Sequence, residues 1–329
     1  MEQAGPFGIY RMTIGIPRAG LYYLYYPFWK TFLETLGFDV VVSAPTNRNL
    51  LAAGLKVANS ELCLPMKVMY GHILDLRGRV DFVLLPQMDE CSWGAGTYGT
   101  STYFCPYFVG MPDVMEAEFP DLKILRPVMS FHDNQIVDGP WLDFGRQLGK
   151  NREVVRHAFD QALASYQLFL AERTKNNRTP LEILEKKKVN TGDLPQKMAL
   201  VGRPYIVYDE SANLELIKKI NQRGYRVQTL EMIDPEELRL NFRQLPFHSQ
   251  SHWYLTNEEY GALRHFGQRP DIAGIIYLIP FNCGPDFMVE ETVIADLRRR
   301  KPVAIISIDE STGEAGLTTR LDAFIDMLK

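Results

Sequence analysis

Two stretches of the chain, set 187 residues apart, follow the same course, and this constrains the fold more than any other feature. Gly15-Ile-Pro17 precedes one helical stretch and Gly202-Arg-Pro204 another. The first stops at Gly37 and the second at Gly224. Each stop leads into a β-rich run, in which Phe38 and Val40 correspond to Tyr225 and Val227. Further on, Asp81-Phe-Val-Leu-Leu-Pro86 parallels Gly274-Ile-Ile-Tyr-Leu-Ile-Pro280 at a spacing of 194, so an insertion intervenes. Each of these runs ends in proline and has a cysteine within five residues. Matches in this order read as a duplicated, doubly wound α/β unit with a parallel sheet in each copy.

The local patterns agree. Strands are expected at Met12–Pro17, Phe38–Ser43, Val80–Leu85, Met198–Val201, Tyr225–Leu230, Ile272–Ile279 and Val303–Ile308. The continuous β-branched run Phe38–Ser43 reads as a buried parallel strand. Helices are expected at Leu21–Leu36, Asn47–Val57, Pro65–Leu76, Ser211–Gln222, Glu258–Phe266, Asp286–Arg299 and Thr318–Leu328. The Gly-, Thr-, Tyr- and Ser-rich block Pro86–Pro112 reads as one long loop, a length that in compact domains usually signals function. Trp141–Lys188 is helical and charged, and Asn190–Gln196 looks like a linker. The expected organisation is therefore residues 1–138 as an α/β domain carrying Cys63, Cys91 and Cys105, 139–195 as a helical connector, and 196–329 as a second α/β domain carrying Cys283.

Composition narrows the function. With 36 basic against 40 acidic residues the net charge is −4, which gives no electrostatic footing for nucleic acid. No apolar run approaches the ~20 residues of a membrane span, and the first residues lack the basic start and apolar core of a signal peptide. A cytoplasmic location follows as the expectation. Thiols stay reduced there, so the four cysteines read as ligands or buried thiols rather than disulfides.

No two cysteines have a Cys-x-x-Cys spacing. Their contexts say more. Cys63 sits directly before a helix, Cys105 before Pro106, Cys283 before Gly284-Pro285, and Cys91 in the loop after a strand. None falls inside a helix or strand pattern, where a structural cysteine usually packs. Loops and helix starts are where backbone N–H groups stabilise thiolates. In open parallel sheets ligands bind beyond the carboxyl ends of strands. Cys91 and Cys283 both follow such ends, so two facing units would bring them into one cleft. A shared metal site with Cys63, Cys91, Cys105 and Cys283 as ligands stands against four unrelated thiols. Donors scattered over two units suit an iron–sulfur cluster better than a compact zinc staple. Lys67 could offset thiolate charge, His72 could support the site from the same helix, and Asp286 either supports it or caps its helix.

Other motifs carry less. Gly94-Ala-Gly-Thr-Tyr-Gly99 matches the dinucleotide fingerprint in letters only, since no helix begins at its third glycine. A phosphate-binding Gly-x-x-x-x-Gly-Lys-Ser/Thr loop is absent. His248 and His252 read as solvated or capping residues. Asp309 and Glu310 follow the last strand and could bind a cation or a hydroxyl, or cap the next helix.

Taken in order, Gly15-Ile-Pro-Arg-Ala19, Cys63-Leu-Pro-Met-Lys67 with Tyr70-Gly-His72, Tyr103-Phe-Cys-Pro106, Phe281-Asn-Cys-Gly-Pro-Asp286, Ile308-Asp-Glu310, Gly313-Glu-Ala-Gly316 and Thr319-Arg-Leu-Asp-Ala-Phe324 resemble the acyl-CoA dehydratase activase-related proteins. That family is similar to the 2-hydroxyacyl-CoA dehydratase subunits and the double-cubane-cluster proteins. The resemblance implies two flavodoxin-like domains with an iron–sulfur cluster between them, 4Fe-4S or a double cubane. It also implies low-potential electron transfer with a separate ATP-dependent activase or reductase component, and a homo- or heterodimer. Cys63, Cys105 and Cys283 match the family's cysteine positions, and Cys91 does not. An enzyme of this kind would be a 2-hydroxyacyl-CoA dehydratase-like lyase or a cluster-dependent reductase. The contrasting expectation is a non-enzymatic two-domain small-ligand-binding or regulatory protein with structural thiols or zinc.

Overall fold

A computed structural model describes residues 11–92, 102–132, 135–190, 194–244, 251–289 and 293–329. Its strands, in chain order, are β1 (Thr13–Ile16), β2 (Asp39–Val42), β3 (Phe82–Leu84), β4 (Gln87–Ser92), β5 (Ile124–Leu125), β6 (Val128–His132), β7 (Gln135–Ile136), β8 (Gln196–Gly202), β9 (Tyr225–Thr229), β10 (Ile272–Pro280) and β11 (Val303–Ile308). The protein is a mixed α/β structure with two parallel four-stranded sheets. One runs β2-β1-β3-β5 and the other β9-β8-β10-β11, so the two share one strand order, as the internal repeat implies. Their registers differ. Thr13 pairs with Asp39, 26 residues on, whereas Gln196 pairs with Tyr225, 29 residues on.

The second sheet is the more deeply buried. β10 is covered along nearly its whole length and β8 from Met198 onward, as expected of central strands in a parallel sheet. β2 departs from the expectation. Despite its valines it lies at a sheet edge, with Asp39 exposed and Val40–Val42 half-buried.

The expected loop Pro86–Pro112 is also corrected. The chain stays extended past Pro86 as β4, which pairs in parallel with β6, and β6 pairs antiparallel with β7. Pro86 and Pro127 cannot donate to a ladder, so they split what would be continuous strands into β3/β4 and β5/β6. The bonds Leu85 N to Leu125 O and Gln87 N to Pro127 O (2.9 and 3.0 Å) carry the pairing across the break. Helices Pro106–Val109 and Met111–Glu118 occupy the rest of that block. The Gly94–Gly99 run lies outside the described residues.

Helix Tyr22–Thr35 packs between the first sheet and the long helix Arg152–Lys175, through Phe28 against Phe159 and Tyr25 against Tyr166. The helical segment expected after Trp141 resolves into Asp138–Gln147, Arg152–Lys175 and Pro180–Glu185. The segment expected as a linker is tied down at its start. Asn190 is buried and exchanges hydrogen bonds with the backbone of Val227, at 2.7 and 2.9 Å; residues 191–193 lie outside the described set. The helix expected from Ser211 begins at Leu216, after the short helix Pro204–Val207 and a turn held by Asn213 donating to the carbonyls of Ile206 and Val207. Helix Pro235–Arg243, capped by Asp234, was not expected. Among the described residues no helix is long and apolar enough to cross a membrane.

Candidate functional site

Three cysteines occupy the same local position. Cys63 is the N-cap of helix Leu64–Leu76, Cys105 caps Pro106–Val109, and Cys283 directly precedes Gly284–Val289. Each is followed within two residues by a proline, Pro65, Pro106 or Pro285, in the first helical turn, where a missing N–H costs nothing. Cys283 reaches its place because Asn282 takes a left-handed backbone (φ 66°), turning the chain at the end of β10. All three are half-buried, unpaired thiols. Cys91 is placed differently from the expectation. It lies within β4, paired with Phe131, and not in a loop beyond a strand.

The three thiols sense one another. Burial pushes Cys63 up to about 11, with charge on Cys105 and Asp286 adding to the rise. Burial and Asp286 raise Cys283 well above the usual thiol range, and Cys63 adds to that rise. Cys105 is raised by burial and eased by the amide of Tyr107 and by Arg203. The amides of Met66 and Asp286 likewise favour the thiolates of Cys63 and Cys283, although Cys63 lacks the geometry of a full cap hydrogen bond.

Beside the thiols lies a buried charge cluster. Arg203, at the carboxyl end of β8, pairs with Asp286, reaches Glu259 at 3.3 Å and donates to Thr256 Oγ1 at 2.8 Å. Arg203, Asp286 and Glu259 are each at most 3% exposed. Burial opposes the charge on Arg203, but Asp286 and Glu259 outweigh it and hold the guanidinium protonated. Glu259 is raised well above the carboxylate range, by burial first and by Asp286. One buried guanidinium is thus set against two buried carboxyl groups. Sequence reasoning named Asp286 but missed Arg203 and Glu259. The available signal was a charged residue in Gly202-Arg-Pro204 where the first copy has Ile16.

Lys67 and His72 each have side-chain partners of their own. Lys67 is buried and pairs with Glu310 at 2.6 Å, so its charge is matched by that carboxylate. Glu310 follows β11, and this pair joins the two halves of the chain. Asp309 closes its own turn by accepting from Ser311 and Thr312. His72 is fully buried, with Nδ1 2.7 Å from Ser43 Oγ and Nε2 2.9 Å from Thr46 Oγ1. Because Thr46 donates its proton to Asp209, it accepts from His72 Nε2–H, and Ser43 donates to Nδ1. Ser43, His72, Thr46 and Asp209 thus form a polar chain between the halves. His252 takes no metal-like position: its carbonyl accepts from Tyr103 N at 2.8 Å. His248 lies outside the described residues.

Among the described residues no three Cys, His, Asp or Glu side chains converge tightly enough to hold a single metal ion. A mononuclear zinc site needs every donor about 2.0–2.3 Å from one centre. A multi-iron cluster instead takes one thiolate per iron and tolerates wider spacing. Soft thiolate donors suit either zinc or an iron–sulfur cluster, and charge on one thiol reaches another.

The sequence signature of the family described as "CoA enzyme activase uncharacterised domain" matches residues 13–233. The chain belongs to this family. The match includes Cys63, Cys105, Lys67, His72 and Arg203, while Cys283, Asp286 and Glu310 follow it. A comparison with curated proteins finds none that matches. The expectation of an activase-related protein is thus upheld.

Proposed function

We propose that this CoA enzyme activase-family protein holds an iron–sulfur cluster of the 4Fe-4S type on Cys63, Cys105 and Cys283, and passes low-potential electrons together with a separate ATP-dependent activase. The observation that carries the reading is the common placement of the three thiols. All stand at helix starts, and each feels the charge of another or of Asp286. Bound there, such a cluster supplies one-electron chemistry. The chain's own residues do the rest. Arg203 sets a fixed positive charge near the thiolates, and the neighbouring amides donate toward sulfur. The exposed rings of Tyr103, Tyr107, Phe281 and Phe287 flank Cys105 and Cys283 and offer an apolar rim for a redox partner.

Free thiols with these raised values are protonated at neutral pH, so loading releases protons and is favoured by higher pH. Anaerobic purification followed by iron and sulfide analysis and EPR of the dithionite-reduced protein tests the reading. Roughly four irons and four sulfides per chain are expected, with marked loss in each of Cys63→Ser, Cys105→Ser and Cys283→Ser. A colourless protein after anaerobic reconstitution rules it out. Cys91→Ser separates a three-thiol cluster, with one iron open to substrate, from a closed four-thiol one.

A further inference from the structure

Helix Tyr254–Gln268 serves two buried regions. Thr256 and Glu259 meet Arg203. Tyr254 and Glu258 instead line a separate cavity of about 60 Å³, enough to admit small molecules of water's size. Its other walls include the aromatic rings of Tyr25, Phe131 and Tyr166 and the charged side chains of Arg173 and Glu231.

The cavity wall is electrically unbalanced. Glu231 is 2% exposed. Its Oε2 accepts from the Tyr208 hydroxyl, and its Oε1 has no hydrogen-bond partner among the described residues. Arg173 donates from Nε to the backbone carbonyl of Glu231 at 3.2 Å and lies over the ring of Phe169. One cation thus faces two carboxyl groups. A buried carboxylate oxygen left without a donor is costly, and aromatic faces attract cations.

We infer that this cavity is a binding site for a small monovalent cation of the ammonium class. Its N–H groups would supply the donor that Glu231 Oε1 lacks, its charge would balance the second carboxylate, and the rings would face its surface. A fully methylated nitrogen has no N–H to give and so cannot supply that donor. Divalent metals are disfavoured by the same shortage of converging donors noted above. The inference does not depend on the thiols.

The wall also dictates a pH dependence. Burial raises Glu231. Burial, then the charge of Glu231, pushes Glu258 up to about 7, with Tyr254, Arg173 and Arg203 opposing; Tyr166 and Tyr25 also line the cavity and Tyr208 bonds Glu231, and burial pushes Tyr166 up to about 12, so it stays neutral. A bound cation favours ionised Glu258, so binding tightens as pH rises through 7.

Calorimetric titration of the intact chain with methylammonium chloride at pH 8, against tetramethylammonium chloride and sodium chloride at equal ionic strength, is the test. Saturable one-to-one binding of methylammonium alone is expected, about ten-fold weaker at pH 6. Glu231→Gln should weaken it by a further ten-fold or more. Equal heats for methylammonium and tetramethylammonium, or an affinity unchanged between pH 6 and 8, overturn the assignment. So does a Glu231→Gln protein with native circular dichroism that binds as the parent does. If that variant does not fold, the methylation and pH comparisons on the parent chain decide.

Discussion

At the residue scale, the cluster around Arg203 sets one buried guanidinium against two buried carboxyl groups. In either Glu259→Gln or Asp286→Asn the guanidinium keeps one carboxyl partner, so each single change should cost about 1 kcal/mol of unfolding free energy at pH 7. The double variant strands a buried guanidinium and should cost about 3–5 kcal/mol, more than the sum of the singles. Urea unfolding of the four proteins measures this, and additive costs would show that the two carboxyl groups act on Arg203 independently. His72 gives a second residue-level expectation. Burial lowers its pKa from 6.5 to about 3. The unfolded chain therefore binds the proton more readily. Stability is fully present above pH 6.5 and falls by up to about 1.4 kcal/mol per unit between 6.5 and 3. In His72→Gln that slope should be shallower when unfolding is followed against pH. Such networks were the least legible part of the sequence. Arg203, Glu259 and Asp286 are brought together by three separate elements, and nothing local to any one of them announces the others.

At the element scale, the crossing of helices Arg48–Val57 and Leu64–Leu76 decides where Cys63 and Lys67 stand. A Cβ at Gly54 would lie 2.3 Å from the Lys67 carbonyl oxygen, and one at Gly71 would lie 2.4 Å from the Leu50 carbonyl oxygen. Backbone meets backbone there, with no flexible side chain to yield. Gly71→Ala should force the helices apart and cost about 1–3 kcal/mol. A melting temperature equal to the parent's would show that the crossing can relax. Much at this scale was readable in advance. Apolar runs such as Ile272–Ile279 and glycine stops such as Gly37 and Gly224 are local signals, and the structure honours them. Cys63 reads as standing directly before a helix and does, whereas the helix start at Cys105 falls in a block that reads as loop. The misreadings have local causes too. Pro86 looked like the end of a strand because it interrupts the ladder, although the chain continues extended beyond it. The valines of β2 looked interior because β-branched residues suit edges and centres alike.

At the scale of the whole molecule, single polar pairs tie distant parts of the chain together. Lys67 pairs with Glu310, Thr46 with Asp209, and Arg18 with Glu185. Removing one clasp should loosen the union without unfolding either sheet. Glu310→Gln leaves buried Lys67 unmatched while its own site is partly open to solvent, so a loss of about 1 kcal/mol is expected. Limited proteolysis around residues 191–193 should accelerate a few-fold, and an unchanged cleavage rate would show that the pair holds nothing together. The repeat in the sequence foretold two sheets of one strand order, but not these clasps, which depend on single residues that differ between the copies. The placement of Cys283 also bears on how the protein is made. Cys63 and Cys105 leave the ribosome early, whereas Cys283 follows only after the connecting helices and most of the second sheet. At about 5–20 residues per second, the nascent chain carries Cys63, Cys91 and Cys105 for on the order of ten seconds before Cys283 is made. Timing during synthesis, rather than strength of binding, then sets when this protein is most vulnerable to oxidation.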